Sequence, residues 1–175
     1  MQAIYIIIKA FLRICLFKYK PQDLPASSLL LTLMLVIYTS LSGLLAPNSL
    51  SVWQSLLWSL VETGLFVVLV SSLLYVIKHP RRITQTLTAL MGTNALLSLL
   101  SLPFIFWLDY GKTNNLDLTL PTILLLMMMF WNVAIHVYVL RHALNVTTFS
   151  ALVITIILLS LMGTVLLSLF PLVEV

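Results

Sequence analysis

The sequence predicts an all-α, polytopic membrane protein with five transmembrane helices preceded by an N-terminal interfacial amphipathic helix. Three observations carry this. Hydrophobic residues make up 61% of the 175 residues and charged residues 8%, with a mean hydropathy of +1.13, which leaves too little polar surface to clothe a soluble globule. Apolar runs long enough to cross a bilayer alternate with short polar breaks. The densest break, Lys78-His79-Pro80-Arg81-Arg82, is strongly basic. The bias of Lys and Arg makes it a cytoplasmic turn, and alternation then orients every other segment.

The first element covers 1–20. Gln2, Lys9, Arg13 and Lys20 recur at spacings of seven, four and seven and form one narrow polar stripe on a helix. Beside it stand Ile4, Ile7, Ile8, Phe11 and Leu12, the pattern of a helix lying in the interface with its cations toward headgroups. A signal peptide fits poorly, because Lys9 and Arg13 interrupt the apolar run and no small-x-small site precedes Pro21.

A helical bundle is expected over 24–172. Asp23 is placed to cap the first span, about 24–45, with Pro25 in its first turn. Gly43 and Ala46-Pro47-Asn48 close that span, and Ser51-Val52-Trp53-Gln54 reads as a capping box for the second, about 52–77. The third span, about 83–107, has a small and polar first half. Thr84, Thr88, Gly92 and Ala95 line one face of it, which suits close helix approach. Pro103 is expected to kink this helix or end it early. Residues 109–117 form a polar outer loop. The fourth span, about 118–140, closes on Arg141 and His142, and the fifth, about 147–170, ends at Pro171 before an outer tail with Glu174. Five spans place the N-terminus inside and the C-terminus outside, with Lys112 the only outer cation.

Charge and cysteine usage exclude several function classes. The net charge of +4 resides at segment ends, where topology and headgroups explain it and nucleic acid is not called for. The single cysteine, Cys15, rules out an intrachain disulfide or a multi-cysteine metal site. His79 and His142 sit at the cytoplasmic edge and only His136 is deep, so haem ligation lacks its second axial histidine. H-E-x-x-H, G-x-S-x-G, P-loop and dinucleotide patterns do not occur. No cofactor, no metal and no catalytic residue are expected.

The candidate intramembrane polar site is Glu62, Asn94, Asn132 and His136. An ionised carboxylate at the depth of Glu62 costs several kcal/mol unless it is paired. One reading makes it a proton or cation site with the other three as partners; the other makes it a hydrogen-bonded residue that fixes helix register against Thr93 or Asn94. Asn132 and His136, four apart, share a helix face. They serve either as a relay or as interhelical hydrogen bonds. Lys9, Arg13, Lys78, Arg81, Arg82 and Arg141 are the expected cytoplasmic headgroup contacts.

Three stretches carry a family resemblance: Pro21-Gln-Asp-Leu-Pro25 before the first span, Arg82-Ile-Thr-Gln-Thr-Leu-Thr-Ala-Leu90 after the basic turn, and Trp131-Asn-Val-Ala-Ile-His136-Val-Tyr-Val-Leu-Arg141-His-Ala-Leu144. With the five-span pattern, the chain resembles bacterial members of the Ypt-interacting-protein (Yip) family. The resemblance implies a multi-pass protein of the bacterial inner membrane. The Asp-Leu-Tyr-Gly-Pro motif of longer-armed members does not occur, so it implies no functional residue. The expected function is a non-enzymatic scaffold, assembly factor or subunit of a membrane complex, meeting lipid, other membrane proteins or itself. The alternative is a small proton-coupled carrier using Glu62.

Overall fold

The computed structural model describes residues 2–47 and 50–170, all helix, turn and connecting chain, with no strand among them. Asn48 of the expected first loop, Pro171 and Glu174 lie outside the described residues, as do the side chains of Gln2 and Ile4. Among the described residues six α-helices follow one another: α1 (Gln2–Cys15), α2 (Ser28–Leu44), α3 (Val52–Val76), α4 (Ile83–Thr113), α5 (Thr119–Leu144) and α6 (Thr148–Leu169). Short 3-10 turns at Pro21–Asp23 and Pro80–Arg82 precede α2 and α4.

Four helices, α3 to α6, are long and apolar enough to cross a membrane. The expected first span is shorter than the sequence suggests. Asp23 does not cap α2, because its Oδ2 accepts from the Lys20 amide (3.0 Å) inside the 3-10 turn. Ser27 supplies the cap instead, its Oγ accepting from the Leu30 amide at 3.3 Å. The resulting helix has 17 residues, about 25 Å against a hydrocarbon core of about 30 Å.

The other boundaries follow from local chemistry. Ser51 and Gln54 form the expected reciprocal capping box at α3 (3.3 and 2.9 Å). Lys78 in the left-handed region (φ 61°) stops that helix, and the His79 amide closes back on the Leu74 carbonyl at 2.8 Å. Pro103 does not end α4, which runs through it to Thr113 and shortens the expected outer loop. Asp117 Oδ1 accepts from the Thr119 amide (2.9 Å) at the start of α5, and these Thr119 bonds hold the Asp117 carboxyl below its ordinary range. Asn145 (φ 57°) ends α5, and Thr147 caps α6 through the Ser150 amide (3.2 Å).

The first half of α4 is the axis of the bundle. Every residue from Thr86 to Ala95 is buried, the signature of a helix surrounded by protein on all sides. It packs most heavily on α2 and α5 and also meets α1 and α3. The N-terminal helix turns Phe11, Ile14 and Cys15 into this core while Lys9 and Arg13 stay exposed. Phe11 reaches Gly92, where a β-carbon would stand 2.2 Å from the ring. Burial pushes the Cys15 thiol up to about 11.

Candidate functional site

Two polar clusters lie between the helices and a basic one lies at their end. On α3, Glu62 faces α2. Its Oε1 accepts from the Tyr38 hydroxyl (2.9 Å) and its Oε2 accepts from the Ser42 hydroxyl. One residue along each helix, the Thr39 and Thr63 hydroxyls meet at 3.0 Å. Tyr38 and Ser42 are four residues apart, so one face of α2 presents both donors to one carboxylate. Tyr38, Ser42 and Thr63 are buried.

The second cluster joins α4 to α5. Asn132 Nδ2 donates to Asn94 Oδ1 at 3.1 Å. His136 Nδ1 lies 2.9 Å from the Asn132 carbonyl, which requires the proton on Nδ1 and leaves Nε2 as a lone pair in the neutral ring. The ring is 3% exposed, and Nε2 has no hydrogen-bond partner among the described residues. Phe66 of α3 meets it edge-on, 5.6 Å between centroids at 84°.

The four residues expected to form one intramembrane site therefore fall into two. Glu62 is satisfied by α2 hydroxyls, and α3 reaches His136 through Phe66, a helical turn beyond the carboxylate. Thr93, a suggested partner of Glu62, instead bonds back to the Ala89 and Leu90 carbonyls (2.8 and 3.1 Å). Tyr38 and Ser42 escape the sequence because nothing marks one hydroxyl among the many serines and tyrosines as facing a particular carboxylate. On the face of small residues, Thr88, Gly92 and Ala95 are buried and Thr84 is half-buried.

The expected headgroup contacts also separate. Lys9 and Arg13 are on the outer side of α1, with the Lys9 ammonium 5.6 Å over the Tyr5 ring, and Lys78 and Arg81 are exposed at the α3–α4 turn. Arg82 turns inward, its Nη1 donating to the Ala143 (2.9 Å) and His142 (3.3 Å) carbonyls at the end of α5. Gln22 Nε2 donates to the same His142 carbonyl at 2.6 Å. Gln85 holds the 3-10 turn from the other side through the Gln22 and Leu24 carbonyls (3.0 and 2.7 Å). Lys20, Arg82, Arg141 and His142 thus gather around a cavity of about 250 Å³ at one end of the bundle.

Among the described residues no group of three or more His, Cys, Asp or Glu side chains is placed to hold a metal. No family model, curated protein or solved structure matches the chain.

Proposed function

We propose that the protein is a non-enzymatic, five-span membrane protein of Yip-like architecture, acting as a scaffold, assembly factor or subunit of a membrane complex. The membrane is the bacterial inner membrane, with the N-terminus inside and the C-terminus outside. One observation carries the non-enzymatic reading: the intramembrane carboxylate, Glu62, has both oxygens engaged by hydroxyls of one neighbouring helix. Such a group ties α2 to α3 as a structural contact between neighbouring helices. The short α2 then completes its crossing with the flanking chain from Leu24, matched by local thinning of the bilayer.

Orientation is supported by the gathering of Lys20, Arg82 and Arg141 at one end, with Lys112 at the opposite end of α4. The α1 helix lies along the bundle, with Phe11, Ile14 and Cys15 against it, Ile7 and Ile8 beside Leu41 and Leu99, and Lys9 and Arg13 on its exposed side.

The carrier reading keeps one observation in its favour, the unpartnered Nε2 of the buried His136. Both are tested by isolating the tagged protein in polymer discs and reconstituting it in liposomes with a pH-sensitive dye. The scaffold reading expects a membrane protein at fixed stoichiometry in the discs and proton flux equal to empty liposomes. Flux abolished in His136→Phe would reverse the choice.

A further inference from the structure

We propose that the basic cavity and the apolar groove beside it form one binding site for an anionic phospholipid, with the phosphate in the cavity and an acyl chain in the groove. It rests on the reading of this end of the bundle as the headgroup level. The cavity is lined by Lys20, Gln22, Arg82, Arg141, His142 and Asn145, and among the described residues no carboxylate lines it. Asp23, the nearest acid in sequence, is turned to the Lys20 backbone amide. Three cations from three separate segments converge there and outnumber the one nearby acid, an arrangement that a phosphate resolves.

The lining is also pre-organised. Arg82 and Gln22 are fixed by the last carbonyls of α5, so those carbonyls are taken up by protein donors and the remaining guanidinium edge of Arg82 is held in place at the cavity. His142 is fixed by its Nδ1 on the Tyr138 carbonyl (2.8 Å) and by its ring against Tyr138, 4.4 Å between centroids.

The second observation is continuity with an apolar groove. A depression of about 450 Å³ between α5 and the start of α6 is lined by Phe17, Phe130, Val137, Tyr138 and Leu152, and by Arg141 itself. Arg141 therefore borders both spaces. Phe17 packs on Tyr138 (5.3 Å) and Trp131 (5.8 Å), making an aromatic wall of the kind that stands at the membrane–water boundary. A free phosphate would use the cavity and ignore the groove, whereas a phospholipid uses both.

The test is native mass spectrometry of the full-length protein, delipidated and incubated with dioleoyl phosphatidylglycerol or dioleoyl phosphatidylcholine. Wild type retains phosphatidylglycerol over phosphatidylcholine. Retention falls by about tenfold in Lys20→Gln/Arg141→Gln and in Leu152→Trp, which fills the groove, and by less than about twofold in Lys78→Gln/Arg81→Gln, an equal charge loss outside the cavity. Equal losses in the two charge pairs would overturn the site in favour of diffuse surface attraction. Displacement by inorganic phosphate, with Leu152→Trp unaffected, would overturn the lipid in favour of a free anion. Melting curves of each variant report folding separately, and wild type isolated with no co-purifying membrane protein but with lipid retained would sink the scaffold reading while leaving this site standing.

Discussion

The Phe11 ring occupies the space that a side chain at Gly92 would need: a β-carbon there would lie 2.2 Å from Cε1 and 2.4 Å from Cζ. The N-terminal helix is thereby keyed into α4 at this position. Gly92→Ala is expected to destabilise the protein by about 1–3 kcal/mol, the usual cost of overpacking. Phe11→Ala costs about 3–5 kcal/mol as a buried aromatic truncation. The double variant should be less destabilised than the sum of the two. Additive losses in denaturant titration would show that ring and glycine do not share one space.

For Glu62 the structure predicts tolerance of an amide and intolerance of truncation. Glu62→Gln keeps an acceptor for one of the two α2 hydroxyls, and a loss of about 1 kcal/mol or less is expected. Glu62→Ala leaves the buried Tyr38 and Ser42 hydroxyls without that partner, at about 1–3 kcal/mol. Tyr38→Phe combined with Glu62→Gln measures the coupling directly, and a coupling near zero would mean that the α2–α3 contact is held by something else.

His136→Phe is expected to change stability by less than about 1 kcal/mol, because removing the unpartnered Nε2 offsets loss of the Nδ1 bond to the Asn132 carbonyl and a ring is kept against Phe66. Asn132→Leu should cost about 0.6–2 kcal/mol through loss of the bond to Asn94. A thermal melt in which His136→Phe is the more damaging of the two would point to an occupant on Nε2.

The Cys15 thiol, pushed up to about 11 by burial, should resist maleimide at pH 7.5 and react promptly once the protein is denatured. Its ordinary value is 9.0. The folded value is the higher one, so the thiol favours the folded state below pH 9 and that contribution fades as pH rises from about 9 to 11. Native labelling as fast as denatured labelling would show that α1 lifts off the bundle.

The helical fold class was legible because length and hydropathy act on whole segments: the runs that became α3, α5 and α6 are continuous, and α3 and α6 also carry a capping residue, Ser51 and Thr147. Boundaries that depend on competition between side chains were not. Asp23 and Ser27 both suit a cap, and only the 3-10 turn decides that Asp23 is spent on Lys20. The pairing of polar groups was hidden for a related reason. Helix periodicity tells which residues share a face of one helix, as with Asn132 and His136, but the paths of α2 and α5 past α3 decide that Glu62 meets Tyr38 while Phe66, one turn on, meets His136. The small face of α4 was visible at Gly92; that its occupant is an aromatic ring from α1 depends on the path of the chain through the Lys20–Leu24 turn.

The burial of α4 on every side from Thr86 to Ala95 bears on how the chain enters the membrane. During synthesis α4 emerges with α1, α2 and α3 already made, but Asn94 must wait for Asn132, 38 residues later. Until then its amide and the threonines around it would face hydrocarbon. The nascent segment is thus the member of the bundle most dependent on an insertase or on its elder helices for shelter, and a chain arrested between α4 and α5 should be the one that quality-control proteases recognise.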